Sequence, residues 1–164
     1  MPLSSRYQPF TEVHGVFYRA VDPRFRDQAL QGSRAAGRYS SATQSTLYLS
    51  SSPQGVEAAM IAHRGQRAAS LEVLQLAVDS DQIFDLRDEA ACRSAEINLQ
   101  DATAPWQDLI AQGGRPRSWD VRDRVLATGA VGLIDPSRKA PGLWHLVLFS
   151  WNSDASSARV RLLR

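Results

Sequence analysis

The feature that most constrains this chain is the spacing of its short apolar runs. Val16–Val21 (VFYRAV), Leu47–Ser50 (LYLS), Ser70–Val78 (SLEVLQLAV), Ile83–Leu86 (IFDL), Val131–Asp135 (VGLID), Leu143–Trp151 (LWHLVLFSW) and Arg159–Leu163 (RVRLL) are rich in β-branched, leucine and aromatic residues, with polar or turn-forming residues between them. Such runs read as strands, Ile83–Leu86 as a second short strand or the continuation of Ser70–Val78. Between them lie segments with helical period. Ser51 and Ser52 offer an N-cap, Pro53 suits a first turn, Val56, Ala59, Met60 and Ile61 share a face, and Gly65 ends the segment after Arg64. Residues 88–98, Ala104–Gln112 and Ser118–Thr128 also read as helices; Ser118 is the expected N-cap of the last and Gly129 its stop. Strands and helices come in mixed order without βαβα alternation. The expected class is therefore α+β, a mixed sheet with flanking helices, and not a doubly wound parallel sheet.

A chain of 164 residues suits one domain. Residues 1–14 read as a polar lead-in and 15–164 as the domain. Residues 22–46, with Asp22-Pro23, Gly32, Gly37 and the run SSATQST, read as a long irregular segment, which in a compact domain is usually a binding loop or disordered. No apolar run reaches the roughly 20 residues that span a bilayer, and MPLSSRYQPF has no apolar signal core. The expectation is a cytoplasmic protein away from the membrane. Cys92 is the only cysteine, so no internal disulfide and no cysteine-rich zinc site forms, and His14, His63 and His145 lie far apart, so no metal is expected. Of 19 basic residues all but Lys139 are arginine, yet net charge is only +2 and acids are spread throughout, so direct nucleic-acid binding is not indicated. Dinucleotide-fold, P-loop, metalloprotease and nucleophile-elbow motifs are absent.

Four segments carry the functional signal: VFYRAV with Arg19, AAGRYSS with Arg38 and Tyr39, TLYLSSSPQGVEAAM with Tyr48 and Glu57, and AVGLIDPSRKAPGLWHLVLF with Ser137. Their order and spacing resemble the RES domain, named for an Arg, a Glu and a Ser, over about residues 15–152. No single motif is specific; the ordered set is. The resemblance implies an ADP-ribosyltransferase-like fold that binds NAD⁺ in a cleft and cleaves its nicotinamide–ribose bond. The ADP-ribose goes to a protein target, or to water or phosphate in an enzyme that depletes NAD⁺. The implied partner is an Xre-like helix-turn-helix antitoxin in a hetero-oligomer.

Residue chemistry fits that picture. A diphosphate asks for guanidinium forks, and Arg19 and Arg38 are the candidates, expected to converge on one hollow. A nicotinamide ring asks for a flat apolar surface; Tyr48 matches the family tyrosine, and Tyr39 stands where the family usually has tryptophan. Cleavage builds positive charge on the ribose, which a carboxylate stabilises, and Glu57 is the candidate. The family glutamate usually lies about eleven residues after the tyrosine, which is Ala59 here. Two residues of helix are about 200° of rotation, so Glu57 and Ala59 face different ways. The branch uses another carboxylate, works without one, or is a disabled NAD⁺- or antitoxin-binding module. His63 shares a helix face with Ala59 and is a candidate ligand contact or proton carrier. Ser137, after Pro136, is the candidate hydroxyl for the ribose or carboxamide. The Leu143–Trp151 run and the Trp106 and Trp119 region are candidate interface surfaces, with core packing the simpler role.

Overall fold

The structure is a computed structural model that describes residues 9–56, 71–136 and 142–163. Glu57, Ala59, His63 and Ser137 lie outside the described residues. Six strands form one mixed sheet: β1 (Phe10–Val21), β2 (Leu47–Ser50), β3 (Glu72–Asp85), β4 (Gly132–Pro136), β5 (Trp144–Leu148) and β6 (Arg159–Leu162). They run in the order β1-β2-β5-β4-β3-β6, and β1 also pairs with β3. The first five strands therefore close on themselves, with β6 alongside β3. The β3–β4 pair is parallel; the others are antiparallel. Four short helices follow β3: α1 (Glu89–Ser94), α2 (Leu99–Thr103), α3 (Gln107–Ala111) and α4 (Arg117–Ala127). This is the α+β class expected from the order of the apolar runs.

Strand alternation splits the core in two. On the enclosed face, Phe17, Leu47, Leu49, Leu76, Ile83, Leu146 and Leu148 pack together, with Trp144 and Trp151 against them. On the other face, Phe84, Leu133 and Val147 meet Cys92, Ala102, Val121 and Val125 of the helices. The Leu143–Trp151 run is thus core: its residues 146–149 are buried. No helix among the described residues is long and apolar enough to cross a membrane.

Three boundaries are decided by the fold. β1 begins at Phe10, inside the expected lead-in, because Phe10 and Thr11 pair with Phe84 and Ile83 of β3. Ile83–Leu86, open as a second strand or a continuation, is the continuation of Ser70–Val78 in one strand, β3, with no boundary between them. The polar stretch Asp79–Gln82 is accommodated by a register shift opposite Thr11 and Val13, which also restores inward parity: Val78 and Ile83 both reach the enclosed core although five residues apart. Finally, Pro116, not Ser118, is the N-cap of α4. The Ser118 hydroxyl instead donates to the Arg38 carbonyl.

Gly132 marks the tightest strand crossing. A β-carbon there would strike the Val147 carbonyl oxygen and lie 2.9 Å from Leu148 Cδ2. Gly132→Ala is expected to lower stability by about 1–3 kcal/mol, the usual cost of overpacking, as measured by urea unfolding.

Candidate active site

Polar burial is concentrated on the helix-covered face. Of the eight buried polar or charged residues among those described, six (Ser40, Thr46, Ser50, Ser118, Arg122 and Asp135) lie around Tyr48 or along the sheet row that continues from it. A group of buried polar side chains persists only if it is mutually satisfied, so its position marks a specified site and not a generic core.

The site is built on a tight turn. Gly37 N–H donates to the Ser40 carbonyl at 2.8 Å, folding Gly37–Ser40 back on itself. The Tyr48 ring, from β2, lies against this turn so closely that a β-carbon on Gly37 would sit 2.7 Å from its Oη. That oxygen accepts from the Tyr39 backbone N–H at 3.0 Å and shares a hydrogen bond with Ser40 Oγ at 2.7 Å. Burial pushes the phenol pKa above its ordinary 10.0, opposed by these hydrogen bonds and by the charges of Arg122 and Arg38. Arg38 donates through Nη1 to the Ala102 and Ala104 carbonyls at 2.9 and 3.0 Å. The turn is thereby tied to the end of α2.

Three side chains of α4 hold the same turn. Trp119 Nε1 donates to the Gly37 carbonyl at 2.9 Å, Ser118 Oγ to that of Arg38, and Arg122 Nη1 to that of Tyr39 at 2.9 Å. Arg122 Nη1 also reaches Thr46 Oγ1 at 2.9 Å, and its guanidinium stacks 4.4 Å from the Phe149 ring centroid. Burial lowers its pKa from the usual value.

Along the sheet from Tyr48, the same face carries Ser50, His145 and Asp135. Ser50 pairs with His145 across β2–β5, and Asp135 with His145 across β5–β4. Ser50 Oγ lies 3.2 Å from His145 Nδ1. Ser51 exchanges hydrogen bonds with the Trp144 backbone, and Pro136 pairs with Trp144. The fold thus joins the Tyr-Leu-Ser segment to the Gly-Leu-Ile-Asp-Pro segment through β5. Beside it, on the enclosed side, a cavity of about 320 Å³ is lined by Phe17, Trp144, Ile134, Ser51, Arg87 and His14 among others.

Two expectations are corrected. Tyr39 is 1% exposed and packs in the helix-side core, so its ring is not presented to a ligand. Arg19 and Arg38 do not converge. Arg19 alternates with Phe17 and Val21, which puts it on the enclosed face, and its Nη1 donates to the Ala29 carbonyl. Arg38 belongs to the helix side, beside Tyr48. The cause is strand parity: Tyr18 pairs with Ser50 and so shares Tyr48's face, and its neighbour Arg19 takes the other. Arg122, Ser118 and Trp119 went unread as site residues. The signal was present: Ser118, Arg122 and Val125 form one stripe of α4, and a charged residue on a buried helix stripe calls for a specific partner. Cys92, by contrast, is held protonated; burial and then the nearby carboxylates push its thiol up to about 11.

These features define a mixed-sheet α+β fold with a built polar site on its helix face. Residues 15–162 match the RES domain, and the chain belongs to that family. Its fold is similar to a chain in the crystal structure of the M. tuberculosis MbcT–MbcA toxin–antitoxin complex, with a TM-score of 0.63, 14% identity, and coverage of 94% of this chain and 84% of that one. No curated protein matches its sequence.

Tyr48→Phe leaves the Tyr39 N–H without its acceptor and the Ser40 hydroxyl without its partner, so a loss of about 1–3 kcal/mol is expected in urea unfolding at neutral pH. The folded state binds the Tyr48 proton more tightly than the unfolded state, so its contribution is full below the unfolded pKa of 10.0 and fades as pH rises beyond it. The alkaline decline in stability should be shallower in Tyr48→Phe than in the wild type.

Proposed function

We propose that this protein is the toxin of a toxin–antitoxin pair and that it cleaves the nicotinamide–ribose bond of NAD⁺, passing ADP-ribose to a protein target in the cytoplasm. The observation that carries the reading is the RES match over nearly the whole chain, together with the fold's gathering of Arg38 and Tyr48 into one built site. The partner in this proposal is an Xre-like helix-turn-helix antitoxin that covers the site; the similar solved structure is itself a toxin–antitoxin complex.

NAD⁺ enters as substrate, with no metal. In the cleavage step the bond between ribose C1′ and the nicotinamide nitrogen breaks, and its electron pair neutralises the pyridinium. The ribose is left as an oxocarbenium-like centre, which the acceptor's nucleophile attacks as it gives up its proton. Arg38 contributes positive charge for the diphosphate. Tyr48, neutral at working pH, presents its ring to the nicotinamide end. Ser137 hydrogen-bonds the ribose or carboxamide, Glu57 stabilises the ribose cation, and His63 takes the acceptor proton. Arg19 acts on this site at one remove, by holding Ala29 at the base of the loop that carries Arg38.

One sequence observation favours a second reading. Ala59 stands where the family places its glutamate, which suits a module that binds NAD⁺ or antitoxin without turnover. The same substitution leaves room for transfer to water or phosphate with a differently placed carboxylate.

The test is release of free nicotinamide from NAD⁺ by the purified protein, with labelled NAD⁺ in lysate to separate protein modification from depletion. The wild type is expected to release nicotinamide and label a protein. Glu57→Gln should cost about 100-fold or more, the scale of losing a charge-stabilising group, and Arg38→Ala should cost more than Arg19→Ala. A silent wild type that gains NAD⁺ cleavage in Ala59→Glu establishes the disabled reading. No cleavage by either, with no NAD⁺ binding, overturns the proposal.

A further inference from the structure

The carbonyls of the Gly37–Tyr39 segment all take side-chain donors from one helix. Its three successive carbonyls each accept from a different side chain of α4: Gly37 from Trp119, Arg38 from Ser118, Tyr39 from Arg122. Ordinary loops satisfy their carbonyls with water or with one another. A helix that supplies donors in register with three consecutive peptide groups acts as a template for that backbone.

Arg122 is the costly member of the set. It is 6% exposed, and its sequence neighbour Asp123 is paired with Arg115 at 2.7 Å. Its hydrogen-bond acceptors are neutral, the Tyr39 carbonyl and Thr46 Oγ1, and among the described residues its Nε has none. Burying a guanidinium against neutral groups is unfavourable, and an apolar residue would pack on Phe149 at lower cost. What an apolar residue does not do is bridge two chain segments. Arg122 ties Tyr39 to Thr46, the two ends of the loop that leads from the turn into β2. Tyr48 stands two residues beyond Thr46 and returns to the Tyr39 N–H.

We propose that Arg122 is the positioning residue of this site: by locking the ends of the Tyr39–Thr46 loop together on the α4 template, it fixes where Arg38 and the Tyr48 phenol stand. The inference rests on the reading above for its catalytic readout, but its structural readout needs no NAD⁺. Its charge also faces the Tyr48 phenol, alongside that of Arg38.

The test compares Arg122→Met, which keeps the stem against Phe149, with Arg122→Lys, which keeps charge and one donor, and with Arg124→Met, on the exposed side of α4, as a control. In nicotinamide release, Arg122→Met is expected to lower kcat about 100-fold, the scale of a small misplacement of reacting groups, with KM changed far less. Arg122→Lys should recover part of the loss and Arg124→Met should show none. In protein labelled at tyrosine Cζ, the Tyr48 resonance of Arg122→Met should move and titrate at higher pH. A folded Arg122→Met with wild-type kcat and an unmoved Tyr48 resonance overturns the inference, as does a loss confined to KM. If Arg122→Met does not fold, Trp119→Phe, which removes the donor to Gly37 and keeps an aromatic ring beneath Arg115, should lower kcat in the same sense; unchanged kcat there overturns it. If the wild type releases no nicotinamide, the catalytic reading fails while the Tyr48 resonance still decides for or against Arg122.

Discussion

The site depends on one constraint: the carbonyls of Gly37, Arg38 and Tyr39 are each met by a side chain of α4. The loop that carries them is long and irregular, and an irregular backbone pressed against a sheet has to satisfy its polar groups or stay in water. Trp119, Ser118 and Arg122 make the buried arrangement tenable. Once the turn is seated, its remaining groups face the sheet, and the Tyr39 N–H and Ser40 hydroxyl meet the one phenol that β2 brings there. Gly37 is required for the same reason, since Tyr48 occupies the space of a side chain.

Much of this fold was legible as pattern. β2, with its alternation of buried Leu47 and Leu49 around Tyr48, falls where its four residues suggest, and the mixed order of elements gave the class. The bounds of β1 and β3 were not legible, because a register shift is a property of two strands at once. Asp79–Gln82 reads as a break in isolation and is a strand only because β1 runs past it. Ser118 shows the same limit. As local sequence it is a good cap; in the folded chain the Arg38 carbonyl outcompetes that role.

The candidate residues were partly misread in geometry. Arg38 and Tyr48 were singled out from residue chemistry and resemblance, and the fold brings them together. The joint diphosphate clamp of Arg19 and Arg38 does not form, although both belong to characteristic segments. Parity decides this: Tyr18 and Arg19 are neighbours in sequence and face opposite sides of the sheet, and only Tyr18 shares the face of Ser50 and Tyr48. Arg19 spends a guanidinium nitrogen at Ala29 in the enclosed core. Family membership stands on the match along the chain and does not depend on that clamp.

A division of labour follows between the two halves of the domain. The strands fix Tyr48, Ser50, His145 and Asp135 in one row, at spacings that pairing makes rigid. The irregular element of such a site is the loop from Ala29 to Thr46, and the protein restrains it at intervals: Ala29 by Arg19, Leu30 by Trp151, Gly37 to Tyr39 by α4, Thr46 by Arg122. Each restraint is a side-chain donor on a backbone carbonyl or a hydroxyl, and nearly all come from arginine or tryptophan. Arginine suits the task because its planar fork donates to two acceptors at once with little further loss of freedom. The abundance of arginine that composition alone leaves unexplained therefore has, at Arg19, Arg38 and Arg122, a structural use: these guanidiniums hold backbone in place before any is free to hold a phosphate.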